Sequence, residues 1–425
     1  MTLLPAKVTE ALEGEGIQVE ESLHAPTALP RDEAQVVRIL ERASADGWRI
    51  LPAGLGSKLA WARPEFTAGE FDCVLSTRRL DQVVAYVPGD GTLTAQAGCR
   101  MGDLARHVSE HGHYLTPCVP HPDEATLGGT LGAGVSGPER IRFGPVRHHV
   151  LGMRVALADG TLASSGGRLV KNVTGFDLQR LYCGSRGTLC VQLEASLRLF
   201  SMPEAEQVWR LEYPTMEGAL EACASLAALP IRPYAVLVTC GSARDTWCLE
   251  VHIGGHGRQL GEERELGLNS LGGADLAVFE GPEARAQRER AQANIHPHDR
   301  AASLRITCLP SGLARALGTV ERKLDLAFTI SAQPQVALID ISFDADAFSG
   351  TNLIDRVGRL ARALREDGAR LEARAISREV HESLAPRLEQ EPALDWMFRL
   401  GRSFDPGGVL ESPLFPGLRD RPVPS

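Results

Sequence analysis

The 425 residues are enough for two or three domains, and 43% hydrophobic with 23% charged residues is ordinary for a globular protein. A formal net charge of −9 argues against a nucleic acid or an anionic membrane surface as partner. No apolar stretch approaches ~18 uncharged residues, and the N-terminus is too acidic for a signal peptide, so we expect a cytoplasmic protein without a transmembrane segment.

Helices and strands alternate along the first half of the chain. Residues 1–30 are predicted to form a helical lead-in that ends near Pro26 and Pro30. Apolar spacing then predicts helices over 32–47 and 101–112, and strands over 48–52, 73–76, 83–87, 92–97, 150–158 and 187–199.

The glycine-rich character of the preceding region stops near residues 201–204, and we place a domain boundary at about residue 205. The pattern predicts helices over 217–229, 281–294, 352–367 and 395–404, and strands over 234–239, 247–253, 336–343 and 371–376. Strands and helices joined by loops of mixed length favour an α+β domain, with helices packed on a sheet.

The cysteines and histidines predict no metal site. Nine scattered cysteines form no C-x-x-C pair, so free buried thiols are expected. His252 and His256 have glycines between them that disfavour a helix, and His296 and His298 flank a proline, so hydrogen-bonded or surface histidines are the expectation.

Glycine recurs every few residues between 126 and 191, with apolar β-type runs between the glycines. A second glycine loop, LPAGLGSK, covers residues 51–58. Glycines placed in this way let the backbone approach a ligand and direct N–H groups at it. The pattern predicts a nucleotide or dinucleotide cofactor that is held largely by main chain.

Two familiar phosphate motifs do not fit. Gly132–Gly137 matches G-x-G-x-x-G, but a Rossmann fingerprint must follow a strand and open a helix, whereas ATLGGTL precedes it and Pro138 follows. The loop at 51–58 lacks the four-residue arch of a P-loop. It still offers successive N–H groups with Ser57 and Lys58, which suits a pyrophosphate, although a glycine turn without a ligand is the alternative.

Serine and threonine hydroxyls alternate with glycines in 121–129 and 136–144, and such hydroxyls suit ribityl and phosphate oxygens. The second segment also contains Arg140 and Arg142. They either bind a carboxylate or phosphates, or pair with surface acids.

These segments, together with VLSTRRL at 74–80 and GGRLVKNVTGFDLQRLYCGSRGTL at 166–189, resemble the PCMH-type FAD-binding domain of the vanillyl-alcohol oxidase superfamily. Within it the chain resembles most the FAD-binding subunits of bacterial glycolate oxidases. The resemblance covers roughly 35–200 and returns weakly at 404–410. Glu411-Ser412-Pro413 stands where the family usually has Asn-Pro-Gly, and Cys190 where it commonly has Gly.

The resemblance implies an α+β fold with noncovalent FAD. We expect a lead-in (1–30), a two-subdomain PCMH-type FAD-binding domain (31–204) and an α+β cap domain (205–425) whose C-terminal segment returns toward the flavin. The predicted cofactor-binding residues are Pro52, Ala53, Gly54, Leu55, Gly56, Ser57, Lys58, His121, Pro122, Thr126, Leu127, Gly128, Gly129, Ala133, Ser136, Gly137, Arg142, Phe143, Gly144, Gly187, Thr188 and Val191.

No catalytic residue is predicted, because the His-rich metal-and-base segment of related dehydrogenases is absent from the sequence. The resemblance implies an FAD-binding subunit of a glycolate-oxidase-type complex that oxidises a small 2-hydroxyacid. Its partners would be a catalytic flavoprotein and an iron–sulfur subunit, with attachment to the inner membrane through the complex. A self-sufficient flavin dehydrogenase and a non-catalytic accessory flavoprotein are the alternatives.

Overall fold

The computed structural model describes residues 4–22, 25–59, 71–116, 118–168, 175–242, 246–271, 276–295, 302–324, 326–343, 352–374 and 392–410. The elements up to residue 201 are α1 (Leu4–Gly14), β1 (Gln18–Ser22), β2 (Ala25–Leu29), α2 (Glu33–Asp46), β3 (Ile50–Ala53), β4 (Cys73–Ser76), β5 (Val83–Val87), β6 (Thr92–Gln96), α3 (Met101–Ser109), β7 (His113–Tyr114), α4 (Leu127–Ala133), α5 (Arg140–Phe143), β8 (Val150–Ala156), β9 (Leu162–Gly166), α6 (Leu178–Tyr182), β10 (Val191–Arg198) and β11 (Phe200–Ser201). The remaining elements are β12 (Ala205–Tyr213), α7 (Met216–Ala227), β13 (Ala235–Cys240), β14 (Trp247–Gly255), α8 (Gly257–Ser270), β15 (Ala277–Glu280), α9 (Gly281–Ile295), β16 (Ala302–Thr307), α10 (Leu313–Lys323), β17 (Thr329–Gln333), β18 (Leu338–Phe343), α11 (Asn352–Glu366), β19 (Arg370–Arg374) and α12 (Pro392–Phe404).

The chain divides into two compact units. The first comprises Met1–Val135, Pro145–Met202 and Pro386–Ser425, and the second comprises Ser136–Gly144 and Pro203–Ala385. The short Ser136–Gly144 segment, which includes α5, therefore packs with the second unit although it is flanked by the first.

The first unit contains two larger sheets. One has the order β1-β2-β4-β3, with β2, β4 and β3 parallel, and helices α1 and α2 pack on it. The other is an antiparallel sheet of order β5-β6-β10-β8-β9, and helices α3, α4 and α6 pack on it. Two layered subdomains of this kind confirm the predicted α+β class.

Helix α2 begins and ends where the sequence predicts. The side chain of Asp32 accepts a hydrogen bond from the Gln35 amide (2.8 Å), and Gly47 closes the helix at φ 72°. An N-cap carboxylate and a left-handed glycine satisfy backbone groups that the helix itself leaves unpaired.

The prediction of a helical lead-in is correct only for α1. Residues 18–22 and 25–29 instead form the antiparallel strands β1 and β2, and β2 also pairs with β4 in the mixed sheet. Pro26 lies within β2 but before Thr27, where pairing with β4 begins. A proline can occupy such a position because its missing N–H is not required for that ladder.

The second unit is built on an antiparallel sheet of order β15-β12-β14-β13-β17-β18-β16-β19. Alternate residues of its strands point to one face, where α7, α8, α10 and α11 cover an apolar core. Helix α9 packs on the opposite face, where Ala291 contacts Leu237. None of the helices in the described ranges is both long and apolar enough to cross a membrane.

Candidate functional site

The first glycine loop follows strand β3. Side chains donate hydrogen bonds to two carbonyls at its start, whereas the next backbone amides are available to a ligand. Ser76 Oγ donates to the Gly54 carbonyl (2.7 Å) and Thr77 Oγ1 to the Ala53 carbonyl (3.3 Å). Gly56 has φ 86°, a backbone angle that side chains disfavour. Within the described structure, the backbone amides of residues 55–57 donate to no protein acceptor. This arrangement suits an anion such as a pyrophosphate.

Lys58 lies at the end of this loop, where its Nζ donates to Ser57 Oγ (3.5 Å). Burial lowers the pKa of Lys58 from its ordinary 10.5 to about 8. A phosphate beside the ammonium group would act in the opposite direction, because an adjacent anion favours the charged form. The lysine is therefore suited to compensate the charge of a bound phosphate.

The second predicted segment opens helix α4. Thr126 is its N-cap, and its Oγ1 accepts from the Gly129 amide (3.1 Å). The Leu127 and Gly128 amides donate to the carbonyls of Cys99 (2.8 Å) and Ala97 (2.7 Å). These amides are used within the protein, and a Cβ on Gly128 would lie 2.8 Å from Ala97 Cβ. Gly128 therefore permits close packing.

Three of the predicted segments meet in the first unit. A Cβ on Gly54 would lie 2.0 Å from Thr126 Oγ1, so the first loop packs directly against the N-terminus of α4. Gly187, at φ 82°, faces Pro52, and its added Cβ would lie 3.2 Å from Pro52 Cγ. The Arg186 amide donates to the Gly132 carbonyl (2.8 Å), which joins the third segment to the end of α4.

Buried polar atoms without hydrogen-bond partners lie around this junction: Thr130 Oγ1, Ser185 Oγ and Gln192 Oε1. Thr130 is fully buried on α4. The adjacent Leu131 carbonyl accepts from the Gly184 amide at 2.9 Å, which brings Ser185 close to the same helix. Such groups are costly without partners, and hydroxyls and an amide are what the polar atoms of FAD require. The residues present therefore fit this cofactor.

The other predicted residues of the first unit lie beside these segments. His121 adopts φ 46°, unusual for a residue with a side chain, and the Pro122 carbonyl accepts from the Gly102 amide (3.0 Å). Thr188 Oγ1 donates to the Ser185 carbonyl (2.7 Å), and Val191 begins β10. Arg186, at φ 55°, is also strained. Strained backbone angles are frequent at binding sites, which favours this region.

The predicted residues Ser136, Gly137, Arg142, Phe143 and Gly144 belong to the second unit. There the Phe143 ring meets Tyr234 edge-on, with centroids 5.2 Å apart. Arg142 contributes with Arg232 to a cavity of about 280 Å³, which has apolar walls from Leu226, Ile231 and Val236. Two arginines among the lining residues, beside an apolar wall, are typical of a site for a small carboxylate or phosphate.

One face of the second unit's sheet carries polar groups that the sequence analysis did not identify. Cys248, Thr239, Ser331, Asp340 and Arg305 occupy neighbouring positions on five adjacent strands. Arg305 donates to both oxygens of Asp340 (2.6 and 2.9 Å), and this pair is buried. Ser331 Oγ has no hydrogen-bond partner among the described residues.

A second group on the same face includes a buried histidine. His252 is 2% exposed, and its Nε2 lies 3.7 Å from Glu250 Oε2. Arg210 Nη1 lies 4.0 Å from the other oxygen of Glu250. Neither His252 Nε2 nor either amide atom of Gln333 has a hydrogen-bond partner among the described residues. Polar residues at alternate positions of several strands are the sequence signal that could have identified this face.

The histidine pair considered for a metal is not on a helix. His252 is in β14, whereas His256 precedes α8 with Nδ1 2.8 Å from Glu204 Oε1. His296 and His298 lie outside the described residues. In the described ranges, no three His, Cys, Asp or Glu side chains group as metal ligands would. All nine cysteines are free; six are buried as predicted, whereas Cys118, Cys183 and Cys308 are half-buried.

Comparisons with known proteins agree with this site. A family of FAD binding domains matches residues 25–166. Glycolate oxidase subunit GlcD of Bacillus subtilis (strain 168) is 30% identical over 204 residues, 48% of this chain and 43% of that protein. Glycolate oxidase subunit GlcE of Escherichia coli (strain K12) is 30% identical over 240 residues, 56% and 64% of the two chains.

A D-2-hydroxyglutarate dehydrogenase of Xanthomonas citri pv. viticola is 29% identical over 201 residues, 47% of this chain and 42% of that protein. The chain therefore matches less than two thirds of the length of each of these relatives. A structure of alkyldihydroxyacetonephosphate synthase covers 91% of this chain, with 75% of its own length matched, a TM-score of 0.66 and 16% identity. At that identity the likeness concerns the fold.

The fold and the glycine segments thus define a flavoprotein of the α+β class. Residues 25–166 match a family of FAD binding domains, and the cofactor of this chain is FAD.

Proposed function

We propose that this chain is the FAD-binding subunit of an oxidoreductase complex of the glycolate oxidase type, which oxidises a small 2-hydroxyacid. The observation that carries the proposal is the meeting of Gly54 with Thr126, and of Gly187 with Pro52, in a domain that matches the FAD binding family. FAD held there would supply redox chemistry to the complex. The names of the GlcD and GlcE relatives support the substrate class and the complex.

In this proposal the three segments hold FAD noncovalently, through residues predicted from the sequence and through Thr130 and Ser185, which were not predicted. The free amides of Leu55, Gly56 and Ser57, with Lys58, bind the pyrophosphate. Thr130 and Ser185 supply hydroxyls that have no hydrogen-bond partner in the described structure. A catalytic flavoprotein and an iron–sulfur protein are the proposed partners.

The test compares two preparations: the chain expressed alone, and the chain reassembled with the proteins that copurify with it. Anaerobic stopped-flow spectroscopy would follow flavin bleaching after glycolate or D-lactate is added. We expect the isolated chain to stay oxidised and the reassembled complex to bleach. Bleaching of the isolated chain at about 1 s⁻¹ or faster, the low end of ordinary turnover, would contradict the subunit role. If neither preparation bleaches with any 2-hydroxyacid, the proposed substrate class is wrong.

A further inference from the structure

A small cavity lies entirely within the second unit. Its volume is about 280 Å³, and its lining comes from α5, the last turn of α7, the loop before β13 and the turn after β17. Small-molecule sites in proteins are usually clefts of about 300–1,000 Å³, so this cavity is at the lower end of that range. It suits a ligand the size of an amino acid and is too small for a dinucleotide.

One wall of the cavity is apolar and belongs to the core of the unit. Leu226 on α7, Ile231 and Val236 on β13 line it, and all three side chains are buried in the cluster between the sheet and its helices. A wall that is part of a packed core keeps its shape when no ligand is bound. The apolar part of a ligand would lie against these three residues.

Two arginines line the same cavity and are not neutralised. Arg142 and Arg232 are exposed, and neither forms an ion pair with a carboxylate in the described part of the chain. The chain has 54 acidic and 45 basic residues, so an arginine pair without a carboxylate is not explained by a shortage of acids. Guanidinium groups bind carboxylates and phosphates through paired hydrogen bonds. The arginines therefore predict an anionic group on the ligand.

Contacts with Tyr234 bring Arg142 to this cavity. The Phe143 ring, next in the chain, meets the Tyr234 ring with centroids 5.2 Å apart. Burial raises the pKa of the Tyr234 hydroxyl, whereas the nearby positive charge of Arg142 lowers it. Helix α5 is thus attached to the start of β13, two residues after Arg232.

Gln335 supplies a third polar group. Its Nε2 donates to Cys223 Sγ on α7 (3.4 Å), which orients the amide. Its Oε1 is buried and has no hydrogen-bond partner among the described residues. A buried acceptor without a donor is unfavourable, and a hydrogen-bond donor on the ligand would remove that cost.

From this geometry we propose that the cavity binds a small 2-hydroxyacid with a branched apolar side chain. Arg142 and Arg232 bind the carboxylate, the apolar wall takes the side chain, and Gln335 Oε1 accepts from the hydroxyl. A hydroxyl is favoured over an ammonium as donor because two positive charges line the same cavity. The inference goes beyond the proposed function, since it is argued from the second unit alone. It assigns Arg142, an expected FAD contact, to this ligand instead.

The test is isothermal titration calorimetry of the full-length chain saturated with oxidised FAD. The probes are the two enantiomers of 2-hydroxyisocaproate, isocaproate without the hydroxyl, 2-hydroxyisocaproamide without the charge, and inorganic phosphate. We expect one enantiomer to bind best, isocaproate to bind several-fold more weakly, and the amide not to bind at the same concentrations. Phosphate binding as tight as that of the best acid would overturn the proposal, because the apolar wall and Gln335 would then contribute nothing.

Variants connect the binding to this cavity. Arg232→Met should weaken 2-hydroxyisocaproate binding on the order of tenfold, as loss of a charged hydrogen-bond donor does. Gln335→Leu should weaken 2-hydroxyisocaproate several-fold and leave isocaproate unchanged, which a general loss of stability would not do. Arg315→Met removes an exposed arginine on α10 of the same unit and should bind like the parent chain.

Two results with these variants would overturn the proposal. Equal affinity in the parent chain, Arg232→Met and Gln335→Leu would mean that the acid binds elsewhere. A lower thermal midpoint in Arg232→Met with unchanged affinity would mean that the arginine only compensates the carbonyls at the end of α7. Flavin reduction is not measured, so this result is independent of the outcome for the proposed function.

Discussion

Gly54 faces Thr126 so closely that a Cβ on Gly54 would lie 2.0 Å from Thr126 Oγ1 and 3.0 Å from Thr126 Cβ. The contact joins the loop after β3 to the N-terminus of α4, so two segments of the proposed FAD site position each other. The same threonine hydroxyl caps α4 through the Gly129 amide. The glycine is therefore required by packing between two segments of the site, in addition to any contact with the cofactor.

Gly54→Ala should displace the loop from α4 and weaken FAD binding by roughly tenfold to a hundredfold, the equivalent of ordinary overpacking strain. Thr126→Ala alone should cost about 1 kcal/mol of stability through the lost cap. In the double variant the methyl groups fit better, so its loss of FAD affinity should be smaller than the sum of the losses in the two single variants. Fluorescence titration of apoprotein with FAD measures the affinity of each of the three variants. Strictly additive losses would contradict the contact between Gly54 and Thr126.

Gly56→Val should yield mostly apoprotein, because Gly56 has φ 86° and a β-branched residue strongly disfavours that angle. The flavin-to-protein absorbance ratio after purification measures the effect. Gly112→Val is the matched control, since Gly112 has φ 71° in the same unit and open space around its Cβ position. Both variants should lose stability, and only Gly56→Val should lose flavin. Full occupancy in Gly56→Val would mean that this loop does not bind the cofactor.

Lys58 predicts a pH dependence of FAD binding. Its pKa in the folded apoprotein is lowered to about 8, and a bound phosphate should raise it, so FAD affinity should fall as the pH rises above 8. Apoprotein stability should change in the opposite sense. Between pH 8 and 10.5 the unfolded chain binds more protons at Lys58 than the folded chain does, so this group's contribution to stability rises with pH.

Titrations of FAD at pH 7 to 10 would check this dependence. Lys58→Met should bind FAD more weakly at pH 7 and with a flatter pH profile, whereas Lys7→Met, on an exposed part of α1, should behave like the parent chain. An unchanged profile in Lys58→Met would exclude the lysine from the phosphate site.

Local features of the fold were accessible from sequence, whereas long-range pairings were not. Asp32 and Gly47 predict the ends of α2 because capping residues lie next to the helix that they cap. Strands β1 and β2 were not predicted, because Pro26 resembles a helix terminator when its place in the sheet is not known. The Arg288–Glu139 bridge and the Arg305–Asp340 pair join distant residues. Nothing in the local pattern around either arginine identifies its partner.

Asp405 should be important for the stability of the first unit. Its two carboxylate oxygens accept from the Val409 (2.9 Å) and Leu410 (2.7 Å) amides, and the Val409 carbonyl accepts from the Ile50 amide (2.7 Å). The C-terminal segment is thereby paired with β3, the strand that leads into the first glycine loop. Asp405→Asn should cost about 2 kcal/mol, since one of two charge-assisted bonds loses its acceptor. Chemical denaturation measures the loss, and an unchanged midpoint would refute it.

FAD should be released from this protein by acid. The attachment position that the resemblance implies for covalent flavin lies in the first glycine loop, and residues 51–58 contain neither His nor Cys. Cys118 and His121 are the nearest reactive side chains before α4, and Tyr114 Oη lies 2.7 Å from Cys118 Sγ. Trichloroacetic acid should leave a colourless pellet and all the flavin in the supernatant, for the parent chain and for Cys118→Ser/His121→Asn alike. A yellow pellet that turns colourless only in the double variant would show a covalent bond at one of these two residues, and a pellet that stays yellow in both would place the bond elsewhere in the chain.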